Sequence, residues 1–151
     1  MALTIRVARA DEAETVWALT RELAVFEELE DAFVATPEDF RQEMSKADSV
    51  LTVLLAEVDG AIAAYAVYYR TFSTFLCRSG IWLEDLYVRP AFRRQGIARA
   101  LMDDMASRTQ GRFEWEVLDW NTHAIALYES YGARTNTGWT KYRLSRHAEE
   151  S

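Results

Sequence analysis

A chain of 151 residues with a formal net charge of −7, 50% of them hydrophobic and 13% aromatic, fits a single globular domain over residues 1–151 with a core of its own. The acidic balance argues against nucleic acid as a partner, because neutralising phosphates requires a basic face. The longest apolar run, residues 61–69, is far shorter than the roughly 20 residues that cross a membrane.

The chain is predicted to begin with a strand and a helix. Residues 3–8 alternate between polar and apolar, as a half-buried strand does. Asp11, with Glu14 three residues later, resembles a helix N-cap with a capping box, and the helix is expected to run to about Leu29. Its apolar face is formed by Val16, Leu19, Leu23 and Phe26.

A second helix and a hairpin are predicted next. Thr36 is placed to cap this helix, and Pro37 suits its first position. Two apolar runs flank the pair Asp59 and Gly60, which is the strongest two-residue hairpin signal. A further strand is predicted over residues 80–88, where an Arg-Pro pair ends it.

Four elements are predicted in the remaining part of the chain. They are a helix from about Gln95 to Arg108, a strand over residues 112–120, a helix capped by Asn121 and a last strand over residues 138–145. The order βααβββαβαβ indicates an α/β domain with a mixed sheet and helices on both faces.

Composition also bounds the environment and the cofactors. The N-terminal residues lack an apolar signal segment, so we expect a cytoplasmic protein with no membrane partner. The single cysteine excludes an intrachain disulfide. Neither His123 nor His147 has a companion at metal-ligand spacing, so no metal site is expected. The charge of −7 is compatible with a cationic substrate, and the alternative is that it merely keeps the protein soluble.

Positive charge collects in one segment of this acidic chain. Residues 93–98 read RRQGIA between a predicted strand and a predicted helix. A helix start presents free backbone N–H groups and the positive end of the dipole, and Gly96 lets an anion approach the backbone. Arg93, Arg94 and Arg99 add charge, which favours a pyrophosphate site. The alternative is a solvated helix start with ordinary surface arginines.

This segment is similar to the (Q/R)-x-x-G-x-(G/A) acyl-CoA motif of the GNAT N-acetyltransferase superfamily. The segments RELAVFEELE, WLEDLYV, VLDWNTHAIALYESYGA and GWTKYRL resemble, in the same order, the diamine (spermidine/spermine-type) acetyltransferase branch. FSTFL resembles relatives that act on diamines, ornithine or thialysine. The resemblance covers residues 5–144. It implies the GNAT fold, a mixed and mostly antiparallel sheet whose central strands splay apart, with acetyl-CoA as acetyl donor.

The resemblance also implies which residues hold acetyl-CoA. In that family the strand that reads LEDLYV here pairs with the pantetheine arm, so the thioester and pantetheine are expected at Leu86, Tyr87 and Val88. The N–H of Leu86 would polarise the acetyl carbonyl. The pyrophosphate is expected at Arg93, Arg94, Gln95, Gly96, Ile97, Ala98 and Arg99. The opposite side of the cofactor is expected to be lined by Asn121, Thr122, His123 and Ala124.

Two residues match the catalytic positions of the family. Tyr128 matches its catalytic tyrosine, whose phenol protonates the departing thiolate of CoA. By spacing alone Tyr128 would be a core aromatic, since it follows Ile125 on a helical face. Glu84 falls where the family places a carboxylate that acts as base through water. An ion pair with a nearby arginine is its alternative role.

The expected substrate is a small primary amine. Glu114 and Glu116 project from one face of their strand because they are two residues apart, and they could receive the far end of a cationic substrate, as could Glu27. Trp115 suits a core or interface position better than a substrate contact. The expected substrate contacts are Phe26, Glu27, Ser73, Glu114, Trp115 and Glu116.

The sequence departs from the polyamine enzymes at two positions. Ser73 and Thr137 stand where those enzymes carry acidic residues. A shorter diamine or a diamino acid therefore suits this chain better than spermidine or spermine.

The resemblance further implies direct acetyl transfer, without an acyl-enzyme at Cys77, and a homodimer in which GWTKYRL takes part. Within enzymes, the runner-up acetylates a protein N-terminus or a lysine, which would require a wide peptide groove. A rival of another class is an acyl-CoA-binding regulator without turnover, which would need neither Tyr128 nor Glu84.

Overall fold

The computed structural model describes residues 2–146, so His147 lies outside the described part of the chain. The strands are β1 (Leu3–Val7), β2 (Leu51–Val58), β3 (Ala61–Ser73), β4 (Arg78–Val88) and β5 (Phe113–Trp115). The α-helices are α1 (Ala13–Phe26), α2 (Pro37–Ser45), α3 (Ile97–Ala106) and α4 (Thr122–Ser130). In the described part of the chain, no helix is long and apolar enough to cross a membrane.

The five strands form one mixed sheet in the order β1-β2-β3-β4-β5. The first three pairings are antiparallel, and β4 pairs with β5 in parallel. The predicted hairpin is confirmed, because β2 and β3 are joined by Asp59 and Gly60, both with positive φ (51° and 85°). The predicted α2 cap is also confirmed, since the Thr36 hydroxyl accepts the N–H of Asp39 at 3.2 Å.

Apolar side chains cover both faces of this sheet, as predicted. On one face the buried residues Ile97, Leu101 and Met105 of α3 pack against the sheet. On the other face Val16 and Leu19 of α1 do the same. The sheet is therefore sandwiched between helices, which places its middle strands in the core and its splayed end between α1 and α4.

Strands β4 and β5 pair over a short stretch and then diverge. Their pairing runs from Ile81 opposite Phe113 to Leu83 opposite Trp115, whereas β4 continues to Val88. The bounds of β5 correct the prediction of a strand over residues 112–120. Because β5 stops pairing at Trp115, the edge of β4 that follows Leu83 faces an opening and not a neighbouring strand.

A β-bulge lies at the point of divergence. Asp85 pairs with Val67 and Leu83 pairs with Tyr68, which leaves Glu84 as an extra residue in β4. Such bulges redirect side chains and are frequent beside active sites. Here the bulge brings two consecutive carboxyl groups, those of Glu84 and Asp85, to the opening between the strands.

The start of α1 differs from the prediction that Asp11 caps the helix. A short 3-10 turn, Ala10–Glu12, precedes α1, and the carboxylate of Glu12 accepts the backbone N–H of Arg9 at 2.9 Å. The same carboxylate binds the guanidinium of Arg6 through two hydrogen bonds of 2.8 and 2.7 Å. Asp11 instead faces the side chain of Arg9 at 3.2 Å. The Glu12 carboxylate therefore caps the 3-10 turn, with Arg6 as its second partner, and α1 itself begins without a side-chain cap.

Two further boundaries differ from the prediction. Helix α3 begins at Ile97 and not at Gln95, because Arg94 and Gly96 have positive φ (63° and 77°), which lies outside the right-handed helix. Residues 138–145 form no strand in the described structure. The predicted last strand is therefore wrong for the single chain, where the alternating side chains of this segment face solvent.

Candidate active site

A cavity of about 460 Å³ lies where β4 and β5 diverge. Its walls come from the end of α1, the second half of β4, the start of α3, the residues after β5, and α4. It is continuous from the arginines before α3 to the carboxylates at the start of the divergence. The cavity therefore joins the predicted anion site to the predicted amine site.

One end of the cavity is built for an anion. Gly96 caps α3 with φ 77°, and a Cβ added there would meet no atom within 4 Å. The open backbone at the start of a ten-residue helix suits a phosphate group. Arg93 lies above the rings of Phe26 and Tyr87, 5.1 and 5.8 Å from their centroids, and its Nε donates to the Val88 oxygen at 3.0 Å.

Most of the predicted cofactor residues line the cavity. The lining includes Leu86, Tyr87, Val88, Arg93, Arg94, Ile97, Ala98, Asn121, His123 and Ala124. The lining does not include Gln95, Gly96, Arg99 and Thr122. Arg99 turns toward α4, where its guanidinium lies 5.2 Å from the ring centroid of Tyr131. The residues present fit a long ligand with phosphates at the α3 end.

The helix that carries Tyr128 starts at a side-chain cap. The Oδ1 of Asn121 accepts the N–H of Ala124 at 3.2 Å, as predicted. Tyr128 lines the cavity from this helix, and its ring centroid lies 5.1 Å from that of Trp115. Burial, helped by the charge of Glu27, raises the pKa of the Tyr128 phenol, so that it keeps its proton at neutral pH.

Tyr128 belongs to the core and to the cavity wall at the same time. It packs against the core cluster on the α3 side of the sheet, and it faces the cavity as well. Trp115 also packs in the core and lines the cavity. Its ring centroid lies 4.9 Å from that of Phe113. Packing of this kind holds the phenol in one orientation.

Carboxylates collect at the other end of the cavity. Glu84 is exposed there and accepts the indole N–H of Trp82 at 3.2 Å. Glu27, at the end of α1, is half-buried, and this burial raises the pKa of its carboxyl group. Glu116 also lines the cavity, but Lys141 binds it at 2.6 Å. The hydrogen bond from Trp82 takes the place of the arginine partner that was the alternative for Glu84.

Asp85 is a carboxyl group that the sequence pattern did not single out. It lines the cavity beside Glu84, and its Oδ2 lies 3.3 Å from the hydroxyl of Tyr65. Burial, together with the charges of Glu84 and Glu27, raises the pKa of Asp85 to about 7. A signal was present, because a second acidic residue within an otherwise apolar strand needs a specific reason for its burial.

Two predicted substrate contacts, Ser73 and Glu114, lie away from the cavity, as does Thr137, where the polyamine enzymes carry an acidic residue. Ser73 ends β3, and its Oγ accepts the N–H of Leu76 at 3.2 Å within the β3–β4 turn. Glu114 pairs with Trp82 across the sheet and is absent from the cavity lining, and Thr137 is exposed. The structure does not place Ser73 at the cavity, because β3 continues beyond the cavity and carries this residue to the β3–β4 turn. Phe26, Glu27, Trp115 and Glu116 do line the cavity.

Phe26 takes a different position from the one its helical spacing predicts. It is exposed, whereas the other members of its apolar face are buried. Its ring contacts those of Tyr87 and Trp120, at 6.4 and 6.0 Å between centroids. These contacts span the cavity mouth from α1 to the segment before α4.

Among residues 2–146 no group of three or more potential ligands could hold a metal ion.

Comparisons with known proteins agree with this geometry. The profile of the acetyltransferase (GNAT) family matches residues 11–133. A thialysine N-epsilon-acetyltransferase of Caenorhabditis elegans is 35% identical over 141 residues, which cover 89% of this chain and 86% of the relative. The L-ornithine N5-acetyltransferase NATA1 of Arabidopsis thaliana is 33% identical over 91 residues, 58% of this chain and 40% of the relative.

The fold also has counterparts among solved structures. An integron cassette protein from the mobile metagenome of V. cholerae superimposes with a TM-score of 0.78 at 21% identity. The match covers 96% of this chain and 93% of that protein. At this identity the likeness concerns the fold.

Proposed function

This chain belongs to the acetyltransferase (GNAT) family and is an N-acetyltransferase, and from that premise we propose that it acetylates a diamine or a diamino acid. The observation that carries the proposal is the cavity between β4 and β5. It has an anion-binding helix start at one end and carboxylates at the other. A phosphate-bearing acyl donor and a cationic acceptor could therefore meet at its centre.

The residues present fit acetyl-CoA as the donor. The start of α3, with its open backbone at Gly96, and Arg94 would bind the phosphates. The free edge of β4 from Leu86 to Val88 offers main-chain groups to an amide-bearing arm, as an unpaired strand edge does. When bound, acetyl-CoA supplies an activated acetyl group.

Tyr128 would complete the transfer as a proton donor. Its phenol lies at the cavity wall and keeps its proton at neutral pH, because burial raises its pKa. A positioned acid of this kind stabilises the departing thiolate by protonating it. Asn121 fixes the start of the helix that carries this side chain, through its cap on Ala124.

The carboxylates at the other end would receive the amine. The amine arrives as an ammonium ion, which Glu27 and Glu84 would attract and orient. Glu84 is exposed at the cavity wall, so it could hold a water molecule through which a proton leaves the ammonium. Glu27 is half-buried, and its charge therefore acts in a less polar surrounding.

The relatives and the charge distribution favour a short acceptor. The two relatives above act, by their names, on thialysine and on ornithine. Lys141 already binds Glu116, and no acidic side chain stands at Ser73 or Thr137. A long polyamine would therefore find few carboxylates for its distal ammonium groups. Diamines and diamino acids need carboxylates only near the reacting amine, where Glu27 and Glu84 lie.

A coupled assay of CoA release tests the proposal. Thialysine, ornithine, lysine, putrescine, spermidine and spermine would be compared with a peptide that offers a free N-terminus and a lysine. We expect release with the short amines. Preference for the peptide would support protein acetylation, and CoA binding without release would support a regulator.

We also propose that the protein forms a homodimer through its C-terminal segment. Trp139, Tyr142 and Leu144 are 79%, 91% and 88% exposed in the single chain. Large apolar side chains exposed close together are a feature of surfaces that bind a partner. Light scattering of the wild type and of Trp139→Ser tests this proposal, because a dimer held by this segment should weaken in the variant.

A further inference from the structure

Asp85 ends a chain of hydrogen bonds that leads from the cavity into the core. The hydroxyl of Tyr65 lies 3.3 Å from Oδ2 of Asp85 and 2.9 Å from the Oγ1 of Thr20. The Thr20 hydroxyl lies 2.9 Å from the backbone oxygen of Val16, one turn earlier in α1. Tyr65 is fully buried, so water does not replace these partners.

The protons of this chain fix one hydrogen bond and leave another open. Thr20 has one hydroxyl proton, and the carbonyl of Val16 can only accept, so Thr20 donates to it. Tyr65 has one proton and two possible acceptors, Oγ1 of Thr20 and Oδ2 of Asp85. When Asp85 is protonated it can donate to the Tyr65 oxygen, and Tyr65 then donates to Thr20.

The ionised form of Asp85 has a partner as well. If Asp85 loses its proton, Tyr65 can turn its single proton from Thr20 to the carboxylate, to which a hydrogen bond is stronger. Both protonation states of Asp85 are therefore satisfied within one arrangement of heavy atoms. A group that gains and loses a proton in each cycle needs this property.

Burial and the charges around Asp85 set its pKa. Burial disfavours the ionised form most, Glu84 on the same strand and Glu27 at the end of α1 add to this, and the pKa of Asp85 is raised to about 7. A pKa near the working pH is the best value for a proton acceptor. The other titratable and charged groups of the cavity wall are Tyr87, Arg93, Arg94, Glu116, His123 and Tyr128.

We propose that Asp85 accepts the proton that the substrate ammonium loses before attack, with Tyr65 and Thr20 as positioning residues. This inference rests on the proposed acetyl transfer. An N–H bond of the ammonium breaks, its electron pair stays on nitrogen, and the proton binds Asp85, directly or through water beside Glu84. The neutral amine then attacks the acetyl carbon, the C–S bond breaks, and Tyr128 protonates the departing thiolate of CoA. The nitrogen loses its second proton as the amide forms, and that proton restores the phenol of Tyr128. Asp85 returns the proton to solvent when the product leaves.

The pH profile of kcat/KM for thialysine, with saturating acetyl-CoA, tests this proposal. Asp85→Asn should lower kcat by about 10²- to 10⁴-fold, the range typical of general acid–base catalysis. Once Asp85 is protonated it cannot take up the proton of the ammonium, so the wild-type rate should fall as the pH drops below about 7. The midpoint of this acidic limb should coincide with the titration of the Asp85 carboxyl carbon measured by NMR.

The two positioning residues should move that midpoint in opposite directions. Tyr65→Phe removes a donor to the ionised form and should raise it by about one pH unit. Thr20→Val leaves the Tyr65 proton free for Asp85 and should lower it by a similar amount, whereas Thr20→Ser keeps the hydroxyl and should retain the wild-type midpoint. A purely structural role for these residues would change the rate without this pattern.

The outcomes separate this inference from the proposed function. An active wild type whose midpoint stays fixed in Tyr65→Phe and Thr20→Val would overturn the role of Asp85 and leave acetyl transfer standing. A wild type that transfers no acetyl group to any amine would overturn both. If Asp85→Asn fails to fold, the opposite shifts in the two positioning variants decide the question.

Discussion

The indole ring of Trp115 lies 5.1 Å from the phenol ring of Tyr128, between centroids, and this contact joins the end of β5 to α4 at the cavity wall. The contact is tilted, an arrangement that aromatic pairs favour. It shields the phenol from water on one side. Because burial raises its pKa, the phenol stays protonated and able to donate at neutral pH.

Replacing Tyr128 should therefore remove a proton donor and little else. Tyr128→Phe keeps the ring against Trp115, so we expect unchanged folding and unchanged CoA affinity, with kcat lowered by about 10²- to 10⁴-fold. The matched control is Tyr131→Phe on the same helix end, whose hydroxyl donates to Asp103 at 2.6 Å outside the cavity lining. Full activity in Tyr128→Phe would show that Tyr128 is a core aromatic and not the proton donor.

The glycine at the start of α3 gives a test of the phosphate site. Gly96→Glu would place bulk and negative charge where the backbone is open, so CoA affinity measured by calorimetry should fall by at least about 10²-fold. Gly60→Glu is the control, because Gly60 also has positive φ (85°) and open space around an added Cβ, but lies in the β2–β3 turn. The CoA affinity of Gly60→Glu therefore shows the effect of backbone strain without a change at the start of α3. Equal CoA affinity in both variants would contradict the assignment.

Glu27 should matter for the acceptor and not for the donor. Glu27→Gln removes a half-buried charge near the expected ammonium, which should raise the KM for thialysine roughly 5- to 150-fold, equivalent to about 1–3 kcal/mol. The KM for acetyl-CoA should stay the same. Glu28→Gln is the control, since Glu28 is exposed and outside the cavity lining. A change in both KM values would show that Glu27 supports the cavity as a whole.

Asp85 should make the folded protein less stable as the pH rises. Its pKa is about 7 when folded and about 3.8 when exposed, so the folded state binds more protons between these values. The destabilisation is absent below about pH 4 and complete above about pH 7. It amounts to about 1–4 kcal/mol, since one pKa unit corresponds to about 1.4 kcal/mol.

Thermal unfolding of Asp85→Asn checks this sign. The variant should gain in melting temperature relative to the wild type at pH 8, and gain little at pH 4.5. An equal change at both pH values would mean that the pKa of Asp85 is not raised in the folded protein.

Local chemistry explains which elements the sequence predicts. Asp59 and Gly60 adopt the positive φ angles that their turn requires, and the caps at Thr36 and Asn121 need no distant partner. The contact between Glu12 and Arg6 joins α1 to β1, so it is not visible in the helix pattern itself. Elements with their own start and stop signals were therefore predictable.

Long-range pairing accounts for what the sequence did not predict. Strand β5 ends at Trp115 because β4 diverges from it, although the alternating pattern continues toward residue 120. Residues 138–145 alternate without a strand edge to join in the single chain. The raised pKa of Asp85 comes from burial and from the charges of Glu84 and Glu27, and its hydrogen-bond partner is Tyr65. Of these three residues only Glu84 is close in sequence. The bulge that brings these groups together has no local signature.

The most direct measurement offers the enzyme equal concentrations of thialysine, ornithine, putrescine and spermine with acetyl-CoA that carries a deuterated acetyl group. Mass spectrometry then shows which amine has gained the label. We expect label on a primary amine of the short acceptors, in excess over spermine, and no label in a reaction with Tyr128→Phe at the same early time. Label mainly on spermine would contradict the charge-based choice of substrate, and no label on any amine would contradict acetyl transfer to small amines.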